Sequence, residues 1–232
     1  EERENNYHPG EANTLINLVG VLRRRGGEED LIRAEEIARE ALLLVRDWIP
    51  RQEITVYENL ISLYETRGEW EKAREVEERA LKLFERRPKE EKSYHLRHQA
   101  EYAYILAKLG EFERIEPLFR ERDEFIRGGG ELLEGGSAFF ELARALYLEE
   151  RGEEERARES FERSVALLKK AGSTGWSQPL TEYALFEERR GNKEKALALL
   201  REALSASDRY GRHGDSRYIR GEIERLEKEM KS

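Results

Sequence analysis

Two histidines provide the first spacing in this chain that could support chemistry. His95 and His98 stand three residues apart, and on a helix that spacing would place two imidazoles on one face, where they could bind a metal ion. No third ligand follows at a fixed spacing from this pair. We therefore predict no metal site and no cofactor, and interpret the two histidines as part of an exposed helix start.

A glycine-rich stretch, residues 128–136 (GGGELLEGG), could in principle cradle a phosphate. It lacks the lysine of a phosphate-binding loop and follows no predicted strand, so this chemistry has little support. Its glycines make a stable helix unfavourable. We interpret the stretch as a loop between repeats, with a hinge between repeats one to three and repeats four to five as the functional alternative.

The carboxylates indicate no reaction. The chain has 50 Asp and Glu residues against 42 Lys and Arg, and on helices such residues usually form pairs at i,i+4. No nucleophile elbow or catalytic triad spacing is present. There is no cysteine, so thiolate chemistry and disulfides are excluded. We predict that the protein is not an enzyme and has no catalytic residues.

The composition narrows the choice of partners and location. The formal net charge is −8, which disfavours nucleic acid as the main partner because phosphate attraction needs a basic surface. No apolar run approaches the length of about 20 residues that spans a bilayer, so we predict no membrane association and a cytoplasmic location. The basic run Arg23-Arg24-Arg25 is either a solvated helix end or an anchor for an acidic ligand group.

One stretch shows which elements position these residues. From Tyr57 to Leu81 the sequence predicts a helix, a turn at Gly68 and a second helix. Both predicted helices carry one apolar stripe at helical spacing. Gly68 lies where a helix C-cap favours a residue that accepts positive φ. Two such helices cannot bury their stripes alone and need similar neighbours on each side.

The neighbours are repeats of the same hairpin. Gly110 and Gly152 follow Gly68 at intervals of 42 residues, and Gly191 follows after 39. Five positions after each of these glycines stands a small or apolar residue, and seven positions further on stands a second residue, which is usually small. The pairs are Ala73 and Ala80, Ile115 and Arg122, Ala157 and Ser164, and Ala196 and Ala203. Ala34 and Ala41 form the earliest pair. The predicted repeats span about 11–50, 52–88, 89–128, 137–172 and 176–210, with a capping helix at about 215–231.

This pattern resembles the tetratricopeptide repeat (TPR). The family favours the residue types found at Tyr57, Leu60, Tyr64, Ala73 and Ala80, and this repeat departs from it at Ile61. The 42-residue interval and the segments 14–18 and 116–119 resemble the long-repeat branch of kinesin light chains. The resemblance covers about residues 10–212. It implies an all-α, right-handed α-solenoid of five helix-turn-helix repeats plus a C-terminal capping helix, forming a single domain over residues 1–232.

Finer expectations follow from the repeat register. We expect Leu18 to face inward and Ser137 to cap the first helix of repeat four. We expect a frayed start over residues 1–10. Three further breaks are expected around Trp48, Pro88 and Trp176.

The resemblance implies a concave groove lined by the first helix of each repeat. Because relatives bind peptides there, the partner it implies is a peptide or protein segment. The predicted contact residues are Asn13, Asn17, Arg23, Arg24, Glu58, Asn59, Ser62, Glu65, Arg97, Glu101, Tyr104, Lys108, Phe139 and Leu142.

Asn17 and Asn59 occupy the same repeat position, where peptide-binding relatives use an asparagine to bond the ligand main chain. Ile16 and Glu58 stand where relatives that bind a free C-terminal carboxylate use lysine, so that ligand is disfavoured. We expect a ligand with a basic stretch and an apolar anchor near Phe139 and Leu142, because acidic residues dominate much of the groove: Glu58, Glu65, Glu149, Glu182 and Glu188.

We therefore predict a non-catalytic protein–protein interaction scaffold. Two alternatives stay open. Residues 194–211 resemble the helical repeats of maltose-regulator-like activators, which would imply a ligand-sensing segment of a larger bacterial regulator. The abundant Glu and Arg with a single Met would also suit an engineered or reconstructed array without a natural partner. The sequence does not define the oligomeric state, and since it begins at Glu1, a larger parent protein is a further alternative.

Overall fold

A computed structural model describes residues 9–45, 50–85, 92–171, 177–209, 211 and 213–231. The predicted breaks around Trp48, Pro88 and Trp176, and most of the predicted frayed start, lie outside these residues. Within them the chain forms helices and no strand, and the predicted all-α solenoid is confirmed. The helices are α1 (Pro9–Arg25), α2 (Glu28–Val45), α3 (Pro50–Arg67), α4 (Trp70–Glu85), α5 (Lys92–Lys108), α6 (Ile115–Arg127), α7 (Glu134–Glu150), α8 (Glu154–Lys170), α9 (Ser177–Arg189), α10 (Lys193–Arg209) and α11 (His213–Lys231).

The chain divides into two compact units, residues 1–86 with α1 to α4 and residues 87–232 with α5 to α11. The predicted break at residues 128–136 lies inside the second unit. A single continuous solenoid domain over the whole chain stays a prediction.

Glycine ends the first helix of each repeat, as predicted. Gly68 has a φ of 69° and Gly152 a φ of 72°. In repeat two the amide of Gly68 bonds the carbonyl of Glu65, and the next amide, of Glu69, bonds that of Tyr64. This pair of bonds satisfies the last carbonyls of the helix. The same two bonds recur at Gly110, Gly152 and Gly191, so one backbone turn is used four times.

The small residues of the repeat are buried, which confirms the register of the second helices. Ala73 and Ala80 have no exposed surface, and the equivalent alanines of the other repeats are equally buried. Their side chains are small enough for neighbouring helices to approach closely. Arg122, the one charged residue in this set, is also buried, and its guanidinium lies over the rings of Phe119 and Phe140.

The register within α1 differs from the prediction. Leu18 is 37% exposed, whereas Ile16, Val19 and Leu22 are buried. An amphipathic pattern leaves an uncertainty of one position at the edge of the apolar stripe, and Leu18 lies at that edge.

Residues 128–136 form a packed turn followed by helix, so the expected loop is too long. The amide of Gly130 bonds the carbonyl of Phe125, and a Cβ at Gly130 would lie 2.4 Å from the Phe125 ring. Residues 134–136 already belong to α7, and Gly136 lies against the backbone of Arg97 on α5. The helix is capped at Leu133, so the predicted N-cap at Ser137 is wrong. Close packing on a neighbouring helix outweighs the low helix propensity of glycine.

The last helix covers the fifth hairpin. Ile219 and Leu226 of α11 are buried in a cluster with Leu180 of α9 and Leu200 of α10. The hydroxyl of Ser216 also bonds that of Ser207 on α10, 2.9 Å away. Met230, expected on the same stripe, is 39% exposed. The position of α11 against α10 matches the capping role that a terminal helix has in repeat proteins.

Candidate functional site: the inner helices of each unit

In the first unit, α1 and α3 lie side by side. The Gln52 side-chain amide donates to Asn13 Oδ1 at 2.8 Å. A Cβ placed on Gly20 would lie 4.0 Å from Oδ1 of Asn59. The structure therefore brings the first helices of repeats one and two together, as the family resemblance implies.

The two asparagines on these helices differ in what they can still bond. Asn17 is exposed. Asn59 is half-buried, and its Nδ2 donates to the carbonyl of Thr55 one turn earlier in α3. One donor of Asn59 is therefore used within its own helix. Of the other predicted contacts in this unit, Arg24 is exposed, and the half-buried ones are Arg23, Glu58, Ser62 and Glu65.

In the second unit, the inner helices α5, α7 and α9 enclose a cleft of about 460 Å³. Its wall contains three cationic side chains, three carboxylates and several apolar groups. The lining residues are Ala107, Lys108, Phe112, Leu146, Glu149, Glu150, Glu182, Leu185, Arg189 and Arg190.

A polar bridge joins the third repeat to the fifth at this cleft. The Tyr104 hydroxyl and Lys108 Nζ, both on α5, each donate to Oε1 of Glu182 on α9 at 2.7 Å. The Glu182 side chain is 9% exposed. The bridge skips repeat four, so α5 and α9 approach each other across the inner side of the unit. Contact between non-adjacent repeats is unusual in a solenoid, where each repeat normally contacts its neighbours.

A second ion pair joins α9 to α7. Arg189 donates from Nε and Nη2 to the two carboxylate oxygens of Glu149, each at 2.8 Å. Burial alone would lower the pKa of the Arg189 guanidinium, but the hydrogen bonds to Glu149 raise it. The two-pronged geometry fixes both side chains more firmly than a single contact would. On the same surface Arg225 of α11 makes a similar pair with Glu188 of α9, at 2.7 and 2.8 Å.

These contacts change the expected charge of the groove. Glu149, Glu182 and Glu188 were expected to attract a basic ligand stretch, yet each is already paired with a cation of the same unit. A basic ligand would therefore have to replace an existing partner. The pairing was not visible in the sequence, because it joins residues 37 to 78 positions apart whose proximity depends on how the repeats curve.

The apolar residues that are accessible in the structure also differ from those predicted for the groove. Leu142 has no exposed surface and Tyr104 is 1% exposed, so neither can contact a ligand without rearrangement. Phe139 is half-exposed and its ring packs edge-on against Tyr104, with centroids 5.9 Å apart. Leu146 and Leu185, which line the cleft, are also half-exposed. Phe139, Leu146 and Leu185 therefore provide accessible apolar surface on α7 and α9.

The remaining predicted residues lie at the start of the unit. Arg97 and Glu101 are half-buried and form an ion pair of 3.3 Å one turn apart on α5. His98 is buried rather than exposed, so the expected exposed helix start is wrong at this position. A lone histidine on a polar stretch gave no signal for that burial.

The described residues have the fold of a helical, TPR-like repeat protein. Among the described residues no helix combines the length and apolarity needed to cross a lipid bilayer. The chain matches no protein-family model, and no curated protein matches it.

Solved structures with this fold do match. One is BtubC (BKLC) from P. vanneervenii, with a TM-score of 0.51 and 23% sequence identity, covering 87% of this chain and 91% of that one. Another is the apo form of RapI, with a TM-score of 0.54 and 20% identity, covering 86% of this chain and 71% of that one. At these identities the likeness concerns the fold.

Proposed function

We propose that the protein is a non-catalytic scaffold that holds a peptide or protein segment against its inner helices. The observation that carries this proposal is the cleft between α5, α7 and α9, which places half-exposed Leu146 and Leu185 beside ordered ion pairs. Recognition surfaces commonly combine apolar anchor pockets with a few fixed polar groups.

The ion pairs support a ligand that carries both charges. A segment that entered beside Lys108 and Glu182 with one charge would leave the other member of the pair uncompensated, which is costly in a partly buried site. A segment with an acidic and a basic group on either side of an apolar residue could replace both partners. We therefore infer a ligand in which an apolar anchor is flanked by opposite charges.

Two finer assignments belong to the same proposal. The first is membership of the long-repeat, kinesin-light-chain-like branch, supported by the 42-residue interval and by the fold shared with BtubC. The second is a role for the inner surface of the first unit, where the exposed Asn17 amide could bond a ligand main chain.

The test begins with selection of peptides that bind the full chain from a displayed random library. Calorimetry then compares the wild type with a Leu146→Ala, Leu185→Ala double variant. We expect the double variant to lose about 2–4 kcal/mol of binding free energy, because both anchor contacts are removed. Leu43→Ala is the control, since Leu43 is 78% exposed on α2. Peptides whose affinity is the same for the double variant and the wild type would contradict the proposal.

A small-molecule sensor is the second candidate, and the volume of the cleft favours it. About 460 Å³ lies within the usual range of about 300–1,000 Å³ for small-ligand sites. A thermal-shift screen of metabolites separates the two candidates. A ligand that raises the midpoint for the wild type but not for the double leucine variant would support the sensor, and a screen without such a ligand would count against it.

A further inference from the structure

Three arginines from three helices converge in the second unit, and none of them lines the cleft. Arg122 of α6, Arg144 of α7 and Arg163 of α8 each lie within 3.7 Å of the carboxylate of Glu141 on α7. We call Arg122, Arg144 and Arg163 the arginine cluster. Two further carboxylates border the cluster, Asp123 at 2.5 Å from Arg122 and Glu159 at 3.7 Å from Arg163, so each guanidinium group has an acidic neighbour.

Aromatic rings hold two of the guanidinium groups in place. Arg144 lies over the ring of Phe119 at 5.4 Å, and Arg122 lies over Phe119 and Phe140 at 5.6 and 5.4 Å. Stacking uses the face of a guanidinium and leaves the N–H groups at its edge available for hydrogen bonds. The cluster is therefore ordered before any ligand binds.

Arg144 has unused hydrogen-bonding capacity. Its nearest carboxylate oxygen, on Glu141, is 3.6 Å away, and no residue in the described part of the chain accepts a hydrogen bond from it. The side chain is 31% exposed, so a ligand can reach it. By contrast, Arg122 donates twice to Asp123, and Arg163 donates to Glu141 and to the Ser160 hydroxyl.

The electrostatics favour an anion at this place. Burial lowers the pKa of Arg144 and the positive charges of Arg122 and Arg163 lower it further, while the carboxylates of Glu141 and Asp123 only partly offset these effects. A bound anion would relieve this repulsion. A single added carboxylate would duplicate what Glu141 already provides, whereas a tetrahedral dianion offers more acceptors and more charge to several guanidinium groups.

We propose that the arginine cluster is a binding site for a phosphate-class dianion, either free or as the phosphoryl group of a partner. Arg144 is the main hydrogen-bond donor. Arg163 contacts the ligand from the more exposed side of the cluster, and the buried Arg122 contributes positive charge. Glu141 orients the arginines and competes with the ligand for them.

The test is calorimetric titration of the full chain at low ionic strength with two probes, inorganic phosphate and a short phosphoserine peptide. We expect saturable binding with one site per chain. Comparable affinity for both probes would identify free phosphate chemistry, and binding of the peptide alone would identify a phosphorylated partner. Absence of saturable binding by both probes would overturn the proposal.

Variants separate the site from a general attraction to positive charge. Arg144→Gln is expected to weaken binding about tenfold or more, since it removes charge-assisted hydrogen bonds. Arg163→Gln, on a more exposed side chain, should weaken it in the same direction. Arg156→Gln on α8 is the control, because Arg156 is 69% exposed and pairs with Glu153. Equal loss in this control, or unchanged affinity in both Arg144→Gln and Arg163→Gln, would overturn the proposal.

Glu141→Gln provides a readout of opposite sign. Removing the competing carboxylate should tighten phosphate binding about two- to fivefold. A merely structural role for Glu141 predicts weaker binding instead, because the arginines would lose their orientation.

Discussion

At the scale of single residues, Glu187 on α9 is a fully buried acidic side chain. It has no exposed surface and accepts from Arg158 at 3.0 Å, Lys195 at 2.8 Å and Asn192 at 2.6 Å. Burial alone would raise the pKa of this carboxyl, but its bonds to Lys195 and Asn192 lower it below the ordinary value of 4.5. A buried carboxylate with three donors stabilises the fold only while it stays ionised.

Replacing this carboxylate should therefore cost stability and change its pH dependence. Glu187→Gln leaves Lys195 and Arg158 without their counter-charge, so we expect a loss of about 1–3 kcal/mol at pH 7. Because the folded pKa is lowered, the stabilisation in the wild type is fully present above the unfolded pKa. It is lost as pH falls through the folded pKa. Urea unfolding from pH 7 to pH 3 measures both effects.

The matched control for this experiment is Glu155→Gln. Glu155 also faces Arg158, at 3.7 Å, but is 84% exposed, and a change of about 0.5 kcal/mol or less is expected there. If the two variants lowered the free energy of unfolding equally, the buried network around Glu187 would contribute no extra stability.

The small positions of the repeat allow a similarly paired experiment. Ala196 and Ala198 lie on α10, the first with no exposed surface and the second exposed. Ala196→Arg should lower stability by about 1–3 kcal/mol or more, since a long charged chain must enter a packed layer. Ala198→Arg should change it little. Thermal unfolding of both variants tests the register, and similar midpoints would refute it.

At the scale of the elements, the turn between paired helices depends on left-handed backbone. Gly152 has a φ of 72°, and Gly152→Ala should cost roughly 1–2 kcal/mol because a Cβ is strained there. Gly221 lies in the middle of α11, and a Cβ would meet nothing within 4 Å. Gly221→Ala should therefore stabilise the protein by about 0.5–1 kcal/mol. Chemical unfolding measures both, and changes of the same sign would contradict this interpretation.

Sequence periodicity predicted most of these elements, for physical reasons. The turn requires glycine, and the helix contacts require small residues at Ala73 and Ala80. Both requirements can be recognised from the residue types at fixed spacings in the sequence. The end of α6 and the start of α7 were predicted less well, because Gly130 and Gly136 are tolerated through contacts with Phe125 and Arg97. Contacts of this kind depend on the tertiary structure, which composition alone does not show.

Sequence reasoning predicted some of the residues on the inner surface but not their burial or their ion pairing. Lys108 was expected on the inner surface and lines the cleft, whereas the burial of Leu142 and Tyr104 was missed. The bridge to Glu182 depends on how far the inner helices of repeats three and five converge. A pattern of repeats gives the order of helices along the stack and not the small rotation between them.

At the scale of the whole molecule, the division into two units has a consequence for local unfolding. Stability in a repeat protein is close to a sum of repeat and neighbour contributions. Ala41→Arg in α2 should therefore accelerate amide exchange in α1 to α4 and leave the protection of α5 to α8 close to that of the wild type. Hydrogen-exchange mass spectrometry measures this, and a uniform loss of protection would show that the chain unfolds as one block.

The same experiment in the second unit should give a different pattern. The bridge from Tyr104 and Lys108 to Glu182 couples repeat three to repeat five. Ala157→Arg in α8, between them, should therefore accelerate exchange in α5 and α9 as well as in α7 and α8. Loss of protection confined to α7 and α8 would show that the bridge does not couple the stability of repeat three to that of repeat five.

The bridge also has a mechanical consequence. Pulling α5 away from α9 must break both hydrogen bonds to Glu182 and strain the pair between Arg189 and Glu149. Partly exposed ion pairs weaken as salt screens them. In the first unit the inner helices are joined by the neutral amides of Asn13 and Gln52, which salt affects much less. The bridge in the second unit should therefore weaken as ionic strength rises, whereas the bond between Asn13 and Gln52 should change little.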